Sequence, residues 1–125
     1  MDSLSSVQLA DILGKGTAAL IWSTDLPHRK GSHIAFVDLM SAGKPYLMLS
    51  AKNNMGAETR VEYAPSTSFY LQDRATGKPW KTRLPFPAHV ISRVEVRDHV
   101  TGHTFVQTYS YHHGYFDGPE REFRG

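Results

Sequence analysis

The chain has 125 residues, the length of one ordinary domain, and a composition that is 40% hydrophobic and 21% charged, typical of a globular protein. Its net charge is only +2 and no basic run is longer than His28–Lys30, so we expect no nucleic-acid partner. The absence of cysteine excludes disulfides and thiolate metal sites, so no cofactor of that kind is expected.

The N-terminus gives no targeting signal. Residues 1–16, MDSLSSVQLADILGKG, carry an acid at Asp2 and lack the basic start of a signal peptide. No apolar run approaches the roughly 20 residues that a membrane-spanning helix needs, so we expect no direct membrane insertion.

Two similar segments follow one another in the first half of the chain. Residues 7–23 and 34–50 align with a constant offset of 27, since 38 − 11 = 27 for Asp11 and Asp38. Each segment predicts an apolar strand, an Asp-led turn and a second apolar strand, and a loop with Pro27 and Gly31 separates them. Tandem copies of this kind favour a β-propeller-like repeat, with chance similarity as the alternative.

Alternating patterns continue through the second half. Residues 58–64, 89–98 and 103–112 have a period of two and are rich in Val, Thr, Tyr and Phe, which predicts half-buried strands. Thr101-Gly102 predicts a hairpin turn between the last two strands. In the first of these strands, one face is predicted to carry Thr59, Val61 and Tyr63, and the other Glu58, Arg60 and Glu62.

The predicted fold is therefore all-β, built of antiparallel strands and hairpins. One short helix of a turn or two is predicted near Ser66–Arg74, and 53–56, NNMG, predicts a turn. We expect residues 1–52 to form the propeller-like repeat pair and residues 53–125 to form a second set of antiparallel strands.

The first Asp-led turn resembles a degenerate calcium-type loop. Asp11 and the glycines Gly14 and Gly16 match that pattern. Calcium takes 6–8 oxygen ligands, yet Lys15 stands where a ligand belongs. The glycines predict a turn without a metal.

Four histidines have spacings that raise the question of a metal site. His99 and His103 have the spacing that joins two imidazoles on a helix, but a hairpin separates them. His112 and His113 are adjacent, so a strand would place them on opposite faces. Structural or exposed histidines are the favoured interpretation.

The C-terminal stretch YSYHHGYFDGPEREFRG leaves one chemical alternative open. His112 or His113 joining Asp117 and Glu120 across a turn would make a metal-binding or hydrolytic site. Neighbouring arginines explain the same acids as surface ion pairs, and no serine has the context of a nucleophile elbow. No catalytic residue is therefore assigned.

A third class also remains open. Trp22, Trp80 and exposed tyrosines would suit a glycan- or receptor-binding β module, although packing explains the same residues.

Three segments carry a family likeness. KNNMGAETRVEYAPSTSFYLQD, GKPWKTRLPFPAHVISRVEVRDHVTG and YHHGYFDGPEREFRG resemble the middle/N-terminal region of the B component of Tc insecticidal toxin complexes, a family related to Salmonella plasmid virulence protein B and Rhs/YD-repeat proteins. The likeness extends over roughly residues 7–125 and is most specific in the last segment. It implies that the chain is a piece of a much larger protein.

The resemblance also implies a role. Tc B components combine a β-propeller, which docks on the pore-forming A component, with a hollow YD-repeat shell that the C component closes around a cytotoxic domain. It implies a non-enzymatic virulence scaffold, because the toxic activity lies in other segments and no catalytic residue of the family maps here. It further implies assembly in the bacterial cytoplasm and then an extracellular location within the toxin complex. An isolated fragment with unpaired sheet edges is expected to self-associate.

Overall fold

The computed structural model describes residues 5–24, 33–41 and 43–124, and it confirms a mostly antiparallel β fold with one short helix. The elements in chain order are β1 Ser5–Ala10, β2 Ala19–Thr24, β3 Ile34–Asp38, β4 Ser50–Lys52, β5 Ala57–Pro65, α1 Ser66–Ala75, β6 His89–Asp98, β7 Thr104–Thr108, β8 Tyr115–Asp117 and β9 Glu122–Arg124. None of the helical segments in these ranges is long and apolar enough to cross a membrane.

The chain divides into two compact units, Met1–Pro45 and Tyr46–Gly125. The boundary predicted from the sequence follows Lys52, and a cut there would separate β4 from its partner β5. The propeller-like character of the first segment and the shell character of the second stay predictions.

The first unit contains a three-stranded antiparallel sheet in the order β1-β2-β3. The central strand β2 places Leu20 opposite Leu9 and Ile21 opposite Phe36. The first of the two similar segments thus forms a hairpin. In the second, β3 lies in this sheet, whereas β4 pairs with β5 in the other unit. The predicted loop with Pro27 and Gly31 lies outside the described residues.

The second unit is organised around a four-stranded antiparallel sheet in the order β4-β5-β6-β7. Val61 on β5 faces Val94 on β6 in the register and is buried, with 6% of its surface exposed. A bulge between Glu62 and Tyr63 shifts the register of this long pair. Because a bulge bends and twists the strand that carries it, it re-aims the end of β5 that leads into α1.

The predicted helix is confirmed and is longer than expected. Pro65 is extended, with φ −71° and ψ 143°, and α1 begins directly after it. The helix ends in a Schellman motif, in which Gly77 at φ 77° donates to the Arg74 carbonyl and Lys78 donates to the Asp73 carbonyl. This exit fixes the direction of the following segment, 78–88, which reaches back across the helix.

The predicted turns are also found. Asn53 Oδ1 accepts hydrogen bonds from the amides of Met55 and Ala57, which closes the turn between β4 and β5. In the β6–β7 hairpin, Asp98 Oδ1 accepts from the Val100 amide, and Gly102 has a φ of 75°. Both turns use a short side-chain acceptor and a glycine in the left-handed region, as their sequences predict.

The strand predicted over residues 103–112 is shorter than expected. It ends at Thr108, and His113 adopts a left-handed φ of 58° that a strand does not accommodate. His112 and His113 therefore do not alternate across a strand, and that prediction is wrong. The strand-turn-strand signature of the closing stretch is confirmed as the β8–β9 hairpin, with Phe116 opposite Phe123.

Much of the apolar surface of the described residues is uncovered. Large apolar side chains on the edge strands are exposed, including Ile34 and Phe36 on β3 and Phe105 and Val106 on β7. Edge strands with free backbone groups and exposed apolar side chains are a template for pairing with further strands.

Candidate functional site

The four residues predicted as a possible metal set do not converge on one point. His112 lies against Asp73 on α1, and His113 Nδ1 accepts a hydrogen bond from the Lys81 amide. Asp117 and Glu120 lie in the β8–β9 hairpin, where the Glu120 amide donates to Asp117 Oδ1. Within the described ranges, no group of three or more His, Cys, Asp or Glu side chains is placed to hold a metal ion.

The chemistry of the C-terminal stretch is instead concentrated at Asp73. Its Oδ2 accepts hydrogen bonds from His112 Nδ1 and from Trp80 Nε1, both at 2.6 Å. We call these three residues the Asp73 cluster. The hydrogen bond from His112, and then that from Trp80, hold the pKa of the Asp73 carboxyl below its usual value. The cluster joins α1 to two segments that are distant in the sequence.

The Asp73 carboxylate also fixes the proton on the imidazole. An ionised carboxylate only accepts hydrogen bonds, so His112 must carry a hydrogen on Nδ1. In the neutral ring, Nε2 is then an acceptor, and Ser110 Oγ lies 3.4 Å from it. Ser110, His112 and Asp73 thus have the polarity of a Ser-His-Asp relay, although the Ser110 contact is long for a hydrogen bond and the His112 side chain is half exposed.

Ring contacts hold two segments on the helix. Phe69 on α1 meets Tyr111 edge to face with ring centroids 5.6 Å apart, and Tyr70 on α1 meets Trp80 of the segment 78–88 in the same way at 5.7 Å. Such pairs add about 0.5–1.5 kcal/mol each to the burial of their surface. The segment from Tyr109 to Gly114 is therefore fastened to α1 by aromatic packing as well as by the Asp73 cluster.

Gly114 shows how closely this segment approaches Trp80. The residue is buried, and a Cβ atom at this position would lie 3.2 Å from Trp80 Cζ3 and 3.5 Å from Leu84 Cδ2. Its φ lies outside the left-handed region, so close approach rather than backbone conformation calls for glycine here. Sequence reasoning missed this contact, since a glycine between two aromatic residues looks like an ordinary turn.

A buried carboxylate on β5 is the second feature that sequence reasoning missed. Glu58 is only 6% exposed, although the alternating pattern places it on the polar face. His99 Nε2 donates to its Oε2 at 2.9 Å, and Arg60 Nε donates to its Oε1 at 3.2 Å. These two hydrogen bonds hold the pKa of Glu58 below its usual value, and the bond from His99 has the larger effect. His99 is thus a structural partner of Glu58, while His103 contacts Thr101 instead.

The calcium-type turn uses its aspartate for the backbone. Asp11 accepts hydrogen bonds from the amides of Lys15 and Gly16, and Gly14 and Gly16 have φ values of 63° and 75°. Lys15 Nζ lies 3.2 Å from Asp38 Oδ2. The ammonium group of Lys15 thus lies beside the Asp38 carboxylate, in a position where a metal cation would have to displace it.

The two tryptophans belong to different units. Trp22 is half-buried in β2, opposite Val7 and Ala35 in the sheet register. Trp80 is held by Asp73 and Tyr70 in the second unit. Each is engaged in packing within its own unit.

Comparison with known proteins decides the family. Residues 2–125 match the family described as the insecticide toxin TcdB middle/N-terminal region. The chain belongs to this family. Among curated proteins, no match is found.

Solved structures of Tc toxins contain the same fold. A Photorhabdus luminescens Tc holotoxin pore with a substitution in TccC3 matches all of this chain at 36% identity and a TM-score of 0.79. TcdB2–TccC3 without its hypervariable C-terminal region matches all of it at 36% identity and a TM-score of 0.77. A further TcdB2–TccC3 structure matches 96% of it at 37% identity and a TM-score of 0.75. In each case the 125 residues of this protein cover 6% of the length of the matched chain.

Membership of the TcdB family changes how the Asp73 cluster is interpreted. The family match and the 36% identity over the whole chain support a structural segment of a toxin protein. The hydrogen bonds and ring contacts around α1 fit that description, since each joins one part of the second unit to another.

Proposed function

We propose that this chain is a non-enzymatic structural segment of a bacterial Tc-type toxin B component. In this role it contributes to the scaffold that docks on the pore-forming A component and, together with the shell-closing C component, encloses the cytotoxic cargo. The observation that carries the proposal is the match of the whole chain to part of a Tc holotoxin pore at 36% identity and a TM-score of 0.79. The C component is supported as a partner by the TcdB2–TccC3 complexes among the matched structures.

The side-chain chemistry of the described residues supports a mechanical role. The ionisable groups with perturbed pKa values are engaged in turns, ion pairs and cross-links: Asp38, Glu58, Asp73, Arg93 and Asp98. Arg93 on β6, for example, lies 2.7 Å from Glu62 on the neighbouring strand β5 and 2.6 Å from Glu95 on its own strand. Perturbed groups of this kind also occur in structural networks, where they hold strands and segments together.

Location and architecture follow the same proposal. The segment would be assembled in the bacterial cytoplasm and act outside the cell within the complete toxin. Its first unit would belong to the propeller-like repeat and its second to the start of the YD/Rhs-type shell strands. The exposed apolar edge strands support this placement, because in a larger sheet assembly they would be covered by neighbouring strands.

A chimeric toxin tests the proposal. The homologous segment of TcdB2 is replaced by these 125 residues, and assembly with TccC3 is measured by co-purification and by protection of the enclosed cargo from protease. We expect a complex that forms and protects its cargo. The control is the same chimera with Val61→Asp, which buries a charge in the sheet and should prevent assembly. A chimera that folds normally but does not bind TccC3 would contradict the scaffold role.

Serine hydrolysis is the second candidate, because the relay of Ser110, His112 and Asp73 favours it. In such a reaction, Ser110 Oγ would attack an ester carbonyl, and His112 Nε2 would accept the hydroxyl proton and pass it to the leaving alcohol. Water, giving a proton to the same nitrogen, would then attack the acyl-serine, and that proton would return to Ser110 Oγ as the acid product leaves. The scaffold proposal predicts no reaction of the chain with a fluorophosphonate probe. Labelling that disappears in both Ser110→Ala and His112→Gln would establish the hydrolytic function instead.

A metal-binding function has a direct test as well. Elemental analysis of the purified chain is compared with that of a variant carrying His112→Ala and His113→Ala. The scaffold proposal predicts no bound metal in either protein and a lower stability of the variant, since His112 is lost from the Asp73 cluster. Bound metal that disappears with the substitutions would support the metal-binding alternative.

A further inference from the structure

A cleft of about 870 Å³ opens in the second unit between α1, the segment 78–88 and β8. Its walls are aromatic: Tyr70 and Trp80 form one edge-to-face pair, and Phe86 and Phe116 form another with ring centroids 5.1 Å apart. We call this feature the aromatic cleft. Its volume lies in the range of pockets that bind small organic ligands, roughly 300–1,000 Å³.

The aromatic cleft has an apolar body and a cationic edge. Arg83 is among its lining residues and is exposed. Among the described residues, no carboxylate lies within ion-pair distance of the Arg83 guanidinium, whereas Arg60, Arg93 and Arg124 each have an acidic partner.

A second polar group of the cleft is also unsatisfied. The hydroxyl of Thr82, another lining residue, is buried and has no hydrogen-bond partner in the part of the chain that the structure describes. Leaving a buried hydroxyl without a hydrogen-bond partner has a free-energy cost. Because Thr82 lines the cleft, a bound acceptor that reached this hydroxyl would recover part of that cost.

We propose that the aromatic cleft is a binding site for amphipathic carboxylates of the fatty-acid class. The apolar chain would lie between the two aromatic pairs, and the carboxylate would accept hydrogen bonds from the Arg83 guanidinium, with Thr82 as a further donor. Arginine suits this contact because its planar guanidinium binds a carboxylate through two parallel hydrogen bonds. A neutral or cationic amphiphile would gain the apolar contacts alone.

Titration with dodecanoate tests the proposal on the purified chain, at concentrations below those at which dodecanoate forms micelles. Binding is measured by calorimetry, and its place is read from the indole signals of the two tryptophans in nuclear magnetic resonance spectra. The signal of Trp80, which lines the cleft, should move, while that of Trp22 in the first unit should stay. Dodecanol is the neutral ligand and should bind more weakly.

Variants separate the charged contact from the apolar one. Arg83→Gln should weaken dodecanoate binding about tenfold and leave dodecanol binding unchanged, since the variant loses a charge-assisted hydrogen bond that solvent partly screens. Phe86→Ala should weaken the binding of both dodecanoate and dodecanol, because both lose an apolar contact. Arg97→Gln, the same substitution on β6 outside the cleft, should change neither.

Several results would overturn the proposal. They are absence of saturable dodecanoate binding, equal binding by Arg83→Gln, or movement of the Trp22 signal instead of the Trp80 signal. Tighter binding of an acetylated Phe-Glu dipeptide amide than of dodecanoate would assign the cleft to a polypeptide side chain instead. None of these results depends on assembly with TccC3, so the binding site and the scaffold role are tested separately.

Discussion

Substitution of Gly114 tests whether the closing segment is packed against Trp80. In Gly114→Ala the new methyl group would lie 3.2 Å from Trp80 Cζ3, 3.5 Å from Leu84 Cδ2 and 3.7 Å from Trp80 Cη2. The shortest of these is tighter than most carbon–carbon contacts, so the indole or the segment must move by a few tenths of an ångström. Trp80 cannot move freely, since Asp73 and Tyr70 hold it.

Two opposing effects set the magnitude. Replacing glycine by alanine at an allowed conformation stabilises the fold by about 0.4–1 kcal/mol through the unfolded chain. Overpacking of a filled site costs about 1–3 kcal/mol. We therefore expect a net loss in the free energy of unfolding of about 1 kcal/mol, or a fall in Tm of roughly 2–5 °C for a domain of this size.

Gly118 provides the matched control. It lies in the turn of the β8–β9 hairpin, its φ is not left-handed, and a Cβ there would meet no atom within 4 Å. Gly118→Ala should therefore be neutral or slightly stabilising. Urea unfolding followed by tryptophan fluorescence measures both variants. Equal free energies of unfolding for Gly114→Ala and Gly118→Ala would refute the packing of this segment on Trp80.

Three further predictions follow from other parts of the fold. The lowered pKa of Asp73 makes its contribution to stability complete above the unfolded-state value of about 3.9, and this contribution is lost as pH falls through the folded-state pKa. In urea unfolding at a series of acid pH values, Asp73→Asn should therefore show a smaller loss in the free energy of unfolding than the unsubstituted chain as the pH falls. Val61→Ala should cost about 2 kcal/mol in urea unfolding, whereas Val100→Ala, at a position 79% exposed, should change the free energy by less than about 0.5 kcal/mol. The isolated chain should self-associate in light scattering, and Val106→Lys on the edge strand β7 should reduce this; a stable monomer of the unsubstituted chain would contradict the prediction.

The strands and turns could be predicted because their signals are local. Period-two alternation marked β5 and β6, and residues 53–56 and Thr101-Gly102 marked the turns beside them. The end of β7 was the local error, since nothing in an alternating run announces that His113 will adopt a left-handed φ. That conformation accompanies contacts made by the segment with Lys81 and α1.

The sequence by itself determined the all-β fold, the positions of its turns and the membership of the TcdB family, since these depend on residue patterns and on recognisable segments. Only the tertiary structure decided which polar residues meet: Asp73 and His112 are 39 residues apart, and Glu58 and His99 are 41 apart. A period in the sequence shows which residues share a face of a strand, but not whether that face is covered. The carboxylate of Glu58 is buried because the fold brings His99 to it. The closing stretch likewise meets its partner only in the folded chain, because α1 supplies the aspartate that its histidine contacts.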